Sequence, residues 1–174
     1  MNSKLFLLMT FAATFCFTKQ SFCQTKFEVP TDVEFKTQED YAKYEPQIID
    51  AAKWLEETDL NKETSKRKDA NAFVLMWLTG TSVVSINIDE ALMKLYGKNT
   101  DLLGIYLASY SRHILENKKA ATKFTATKAA ITSMINVYKK GISIKKSKEM
   151  ENVIKLDDGQ LDNYIIENFK IAKT

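Results

Sequence analysis

Apolar residues recur at helical spacing through most of this chain. In the stretch 63–78, Ala70, Phe73, Val74 and Trp77 mark one side of a predicted helix, at the i, i+3, i+4, i+7 spacing of a buried face. The same spacing predicts further helices over about 38–58 with a break near 46, 90–97, 100–117, 122–140 and 146–169 with a break at 157–159. We therefore expect an all-α protein, a single compact domain of about five to seven helices with at most one small strand pair.

Two stretches depart from helical spacing. Residues 24–37 form a predicted extended leader, in which segments 27–29 and 33–35 alternate apolar and acidic residues around Pro30. A proline at this place limits any strand pairing to the edge of a sheet. Residues 81–88 also alternate, which predicts an extended connector or a short strand.

Polar residues and glycines mark the predicted helix ends. Thr37, Asp89 and Thr100 each precede a periodic stretch, and such residues accept hydrogen bonds from the free N–H groups of a first helical turn. Gly80 and Gly141 follow periodic stretches and are predicted to end them. The chain has no long tract rich in glycine, proline or serine, so we expect no linker and no second domain.

The N-terminal residues have the pattern of a secretory signal peptide. Lys4 gives a basic start, and the apolar stretch 5–17 follows it. That stretch is shorter than the roughly 20 apolar residues that a membrane-spanning helix needs. Small side chains at Ser21 and Cys23 suit a signal peptidase, so we expect residues 1–23 to be removed.

Lipidation of Cys23 is the alternative to its removal. Gln20 and Phe22 occupy the places where a lipidation signal has an apolar and a small residue, so the sequence favours removal. The mature chain 24–174 then has no cysteine, because Cys16 leaves as well. We expect an exported protein, periplasmic or extracellular, that is stabilised by packing without disulfide bonds.

Charge is distributed unevenly along the chain. The formal net charge is +3, and the loss of Lys4 and Lys19 with the signal peptide lowers it by two. Residues 24–60 are acidic, whereas 61–150 are basic and carry mostly lysine, a poor specific reader of phosphates and bases. We expect no nucleic-acid partner. A solvated mixed-charge surface accounts for the lysines, and an anionic partner such as cell-surface polysaccharide or membrane is the alternative.

Several stretches carry a resemblance to known proteins: 41–44 (YAKY), 51–58 (AAKWLEET), 71–80 (NAFVLMWLTG), 129–130 and 137–139. Together they resemble a family of small secreted proteins of the Bacteroidota phylum. The resemblance covers most of the mature chain and implies export and a single compact domain. It implies no activity, cofactor or functional residue.

The residue types needed for nucleophilic or metal chemistry are sparse. His113 is the only histidine, and a Ser-His-Asp hydrolase would have to use it, but no Gly-x-Ser-x-Gly sequence supplies the serine. One histidine without a mature cysteine also argues against a zinc site. We interpret His113 as a structural or surface residue, and we expect no catalytic residue, no cofactor and no metal.

Carboxylates are the remaining candidates for catalysis. Glu56, Glu57 and Asp59 cluster at a predicted helix end, and two carboxylates about 5–10 Å apart suffice for glycoside hydrolysis. Such clusters are also ordinary solvated surface. The acidic run 157–162 surrounds Gly159 but lacks the ligand spacing of a calcium loop, so it predicts a helix stop followed by an Asp-capped restart.

A polar row beside the predicted core is the candidate binding groove. Arg67 and Asn71 lie one helical turn apart on the helix that carries Trp77. With Trp54 from the preceding helix, they could line a groove for a ligand. Alternatively, the polar side chains fix the following connector by hydrogen bonds, and both tryptophans belong to the core.

These patterns favour one function class over another without identifying a ligand. We expect an exported, non-enzymatic binding or interaction module with a protein or polysaccharide partner. The alternative is a small carboxylate-dependent hydrolase acting on cell-wall or other polysaccharide. A pair of acids facing one cleft would favour the hydrolase, and an exposed apolar patch without such acids would favour the interaction module.

Overall fold

The computed structural model describes residues 26–173. These residues form eight α-helices: α1 (Gln38–Lys43), α2 (Glu45–Glu57), α3 (Thr64–Leu78), α4 (Glu90–Tyr96), α5 (Thr100–Asn117), α6 (Lys123–Lys139), α7 (Lys148–Val153) and α8 (Asp158–Phe169). A 3₁₀ turn, Lys118–Ala120, joins α5 to α6. No strand occurs within the described residues, so the predicted all-α class is confirmed. The predicted signal peptide, 1–23, lies outside them.

Side-chain caps place several helix starts where the sequence predicts them. Thr37 and Asp89 accept hydrogen bonds from the first turns of α1 and α4, as expected. Asp157 caps α8 in a reciprocal pair with Gln160, which is the predicted Asp-capped restart. The start of α5 differs from the prediction, because its cap position is Asn99 and Thr100 is already helical.

The described helix count exceeds the predicted range of five to seven because both predicted breaks separate complete helices. Tyr44 ends α1 and also precedes α2, in which Pro46 occupies the first turn. A first-turn proline loses no helical hydrogen bond, since that N–H has no partner within the helix. The second break leaves the six-residue α7 before α8.

Helix α5 is the centre of the packing. It contacts α2, α3, α4 and α6, while α7 and α8 pack on α4 and α6. Nine of its residues are buried, including Ile105, Tyr106 and Tyr110. The buried tyrosines of α5, like its buried Ser109 and Ser111, bring hydroxyl groups into the interior.

The leader packs through side chains without backbone pairing. Phe27 is buried, and its ring centroid lies 6.1 Å from that of Trp54. Phe35 stacks on Tyr41 at 4.7 Å. Alternation in the leader therefore reflects alternate burial against α1, α2 and α3, and the expected strand-like segments form no strand.

Gly80 follows the end of α3 but has a different role from the predicted helix stop. Thr79 is the C-cap residue, and Gly80 makes no left-handed turn. Instead, a Cβ atom at Gly80 would lie 1.9 Å from the Tyr41 hydroxyl oxygen. The missing side chain lets α1 approach, and Gln38 then bonds both Gly80 and Ser82 through its amide.

Among the described residues, no helix is both long and apolar enough to cross a membrane.

Candidate functional site

The predicted groove residues Arg67 and Trp54 are brought together in the interior. Both are 3% exposed, and the guanidinium carbon lies 5.6 Å from the indole centroid. Arg67 Nη1 donates to the Leu55 carbonyl at 3.1 Å, and Nη2 donates to that of Thr58. Arg67 therefore satisfies the free carbonyls at the end of α2. Burial lowers the pKa of the guanidinium, although nearby Asp101 and Asp59 oppose this shift.

The other two groove residues also face neighbouring elements. Trp77 is fully buried, as predicted, and its indole N–H donates to the Tyr41 carbonyl at 3.0 Å. Asn71 is half-buried against Gly104 of α5, where a Cβ atom would come within 2.4 Å of Asn71 Oδ1. This placement gives the groove hypothesis no support and favours the alternative that both tryptophans are core.

The carboxylates at the end of α2 are engaged with cations and a hydroxyl. Glu56 Oε2 lies 3.1 Å from Arg112 Nη1, and Ser109 donates to Oε1. Lys140 Nζ lies 3.7 Å from Asp59 Oδ1 and donates to the Glu56 and Glu57 carbonyls. These contacts tie the end of α2 to α5 and to the end of α6, which is a structural role.

His113 and the acidic run 157–162 also contact neighbouring side chains of the protein. Burial first, and Arg112 second, lower the pKa of His113, and Asn117 donates to its backbone carbonyl at 2.9 Å. In the acidic run, Asp158 and Asp162 both pair with Lys128, at 2.7 and 2.6 Å. Among residues 26–173, no three His, Cys, Asp or Glu residues are grouped to hold a metal ion.

A cleft of about 430 Å³ opens elsewhere, away from the candidate groove predicted from the sequence. Four elements form it: the connector before α4, helix α5, the start of α6, and the tail that follows α8. Its lining residues are Ser85, Ile86, Asn87, Asp89, Tyr106, Tyr110, Lys123, Phe124, Thr127, Phe169, Lys170, Ile171 and Ala172. Its size falls within the range of about 300–1,000 Å³ that is typical of small-molecule sites.

The buried lining residues of the cleft combine aromatic rings with hydroxyl groups. Tyr106, Tyr110, Phe124, Thr127 and Phe169 are each less than a tenth exposed. The Tyr106 and Tyr110 rings lie one helical turn apart on α5, with centroids 6.1 Å apart. We call these five residues the floor of the cleft.

The Tyr110 hydroxyl is the floor group with unused hydrogen-bonding capacity. Tyr106 bonds Thr127, whereas Tyr110 has no hydrogen-bond partner among residues 26–173. Tyr110 is only 4% exposed and lines the cleft. Burial raises the pKa of both tyrosines, so both hydroxyls remain protonated donors at neutral pH. Because it belongs to the cleft lining and has no partner in the protein, the Tyr110 hydroxyl can donate to a polar ligand.

The exposed lining residues, which we call the rim, are polar. Ser85, Asn87, Lys123 and Lys170 are exposed around the floor. Asp89 is the one carboxylate among the described lining residues, and its Oδ1 accepts from Leu92 N at 2.9 Å to cap α4. The rim therefore offers amide, hydroxyl and ammonium groups to a ligand.

The tail, residues 170–173, forms part of the cleft lining and is held at its far end. Lys170 adopts a left-handed backbone conformation with φ of 55°, which turns the chain out of α8. Beyond it, Lys173 Nζ pairs with Asp162 and lies 6.0 Å from the Phe124 ring centroid. Residues 170–172, which line the cleft, are thus held between the end of α8 and the Lys173–Asp162 ion pair.

The sequence contained one signal for this site. Inward positions on α5 and α6 carry hydroxyl side chains at Tyr106, Tyr110 and Thr127, where a purely structural face would be aliphatic. These hydroxyl residues alone do not predict where the cleft lies, because the connector and tail that complete it have no periodic pattern. The chain matches no protein-family model, no curated protein and no solved structure.

Proposed function

We propose that this chain is an exported, non-enzymatic binding module and that its cleft binds a saccharide. The observation that carries the proposal is the Tyr110 hydroxyl, which has no hydrogen-bond partner among residues 26–173 and belongs to a cleft that also contains aromatic rings. Sugars present C–H faces that pack on aromatic rings and hydroxyl edges that need donors and acceptors. The floor and rim supply both kinds of surface.

The same cleft gives less support to the polysaccharide hydrolase. Hydrolysis of a glycosidic bond by the usual route uses two carboxylates flanking that bond. Asp89 is the one carboxylate among the described lining residues, and its side chain already caps α4. Glu56 and Glu57 are outside this lining, and the Glu56 carboxylate already pairs with Arg112 of α5. The arrangement therefore favours binding over bond cleavage.

Titration calorimetry with a panel of neutral and acidic oligosaccharides tests the binding proposal. Tyr110→Phe should weaken the binding of any hit roughly two- to twelvefold, because it removes one hydrogen bond worth about 0.5–1.5 kcal/mol. Tyr96→Phe is the matched control, since Tyr96 does not line the cleft. If Tyr110→Phe binds the hit as tightly as the parent chain, the site lies elsewhere.

Export is a separate part of the proposal and has its own test. The basic start, the apolar stretch 5–17 and the small residues Ser21 and Cys23 support removal of the first 23 residues. The intact mass of protein from the cell envelope or medium should correspond to a chain beginning at Gln24. A mass that retains residues 1–23, or a diacylglycerol on Cys23, would refute this cleavage.

A further inference from the structure

The two lysines on the rim of the cleft differ from their neighbours in having no acidic partner. Lys128 pairs with Asp158 and Asp162, and Lys173 pairs with Asp162. Lys123 and Lys170 line the cleft, are exposed, and form no ion pair within residues 26–173. Two ammonium groups on one rim are therefore available to an anion.

The two lysines come from different elements of the cleft lining. Lys123 begins α6, whereas Lys170 follows α8 at the start of the tail. The carboxylate of Asp89 offsets one of the two positive charges, but it already accepts a hydrogen bond from Leu92 N. The rim keeps a net positive charge beside donors from Tyr110 and Asn87, and this combination suits an anionic group on a polar ligand.

We infer that the saccharide bound in this cleft is anionic and that Lys123 and Lys170 bind its carboxylate or sulfate group. This inference rests on the proposed saccharide-binding function and specifies its ligand class. The floor packs on the sugar ring and bonds its hydroxyls, while the two lysines select for charge. Lysine suits this role because its ammonium group is a mobile point charge that accepts either anion.

The test compares three size-matched probes in titration calorimetry: oligogalacturonate, a sulfated galactose oligomer and a neutral galactose oligomer. We expect at least one charged probe to bind more tightly than the neutral one, and its affinity to fall as salt is raised. The charged probe that binds more tightly identifies the anion. A neutral oligomer that binds as tightly as both charged probes would overturn the inference.

The variant Lys123→Gln/Lys170→Gln tests the residues. Exposed charge pairs are worth about 0.2–1 kcal/mol each, so the double variant should lose roughly two- to thirtyfold in affinity for the charged probe. Its affinity for the neutral probe should not change. Lys62→Gln/Lys68→Gln is the charge-matched control, because both residues are exposed and outside the cleft.

The results separate this inference from the proposed function. Unchanged binding of the charged probe by the double variant overturns the lysine assignment, even if Tyr110→Phe still weakens binding. If none of the three probes binds, and no oligosaccharide of the neutral and acidic panel binds either, both proposals are overturned. Circular dichroism of each variant verifies that it is folded before binding is compared.

Discussion

Lys173 Nζ lies 2.6 Å from Asp162 Oδ2 and joins the end of the tail to helix α8. Lys128 pairs with the other carboxylate oxygen, also at 2.6 Å. The two ammonium groups, Lys128 and Lys173, hold the pKa of Asp162 below its ordinary value. Because residues 170–172 line the cleft, the Asp162 carboxylate holds one end of a segment of the cleft lining in place.

Removal of this carboxylate should loosen the tail. In Asp162→Asn the amide cannot pair with Lys173, so we expect trypsin to remove residues 171–174 faster than in the parent chain. Mass spectrometry of short digests measures this rate. Asp158→Asn is the control, since Asp158 is 85% exposed at its side chain and pairs with Lys128 alone. Equal cleavage rates in the two variants would show that the ion pair does not hold the tail.

Trp77 should be essential for stability. Its side chain is fully buried and bonds the Tyr41 carbonyl. Truncation of a buried aromatic residue costs about 3–5 kcal/mol, out of about 5–15 kcal/mol for an ordinary domain. Urea unfolding of Trp77→Ala should show this loss or an unfolded chain. His113→Ala, at a partly exposed position, should change the unfolding free energy by much less.

Arg67 should contribute through the carbonyl groups it satisfies. Arg67→Met keeps the length of the side chain but leaves the carbonyls of Leu55 and Thr58 without their donor. We expect a loss of about 1.5–3 kcal/mol, the contribution of hydrogen bonds to a charged group. Urea unfolding measures it, with the exposed Lys68→Met as control. A variant as stable as the parent chain would mean that water replaces the guanidinium.

Alkaline pH should destabilise the fold through its buried tyrosines. Burial raises the pKa of Tyr106, Tyr110 and Tyr164, and Glu149 adds to the effect at Tyr164. The unfolded chain loses these protons from about pH 10, while the folded chain keeps them. The folded chain therefore binds more protons than the unfolded chain at this pH. The unfolding free energy should then fall as pH rises above about 10.

Urea unfolding between about pH 8 and pH 11 measures this dependence. The effect should be absent at the lower end, since both states are then protonated at the tyrosines. Tyr106→Phe should make the slope above pH 10 shallower, whatever its effect on stability at neutral pH. A slope that is the same in parent and variant would exclude Tyr106 as a source of the dependence.

The fold was largely predictable because helix signals are local. The spacing of Phe73, Val74 and Trp77 defines a buried face, and Thr37 and Asp89 start helices by bonding their own first turns. The role of Gly80 is not predictable from its own segment, because it depends on Tyr41, far away in the sequence. A pattern along one segment carries no information about such a partner.

The site was less predictable, for the same physical reason. The sequence predicts Arg67 and Trp54 as polar and aromatic residues of a groove, but both are buried against each other, and Arg67 bonds a carbonyl at the end of α2. The cleft instead combines α5 and α6 with residues 85–89 and 170–172, which lack periodic spacing. Only packing brings these four segments together.

The floor tyrosines of the cleft belong to α5, the helix that packs on α2, α3, α4 and α6. Amide protons in such a central helix exchange with solvent chiefly when the whole domain opens. A ligand that binds only the folded chain makes that opening rarer, by a factor that grows with its concentration. Occupancy of the cleft should therefore slow deuterium uptake along the full length of α5. The exchange rate of these core amide protons then reports on a ligand bound at the surface.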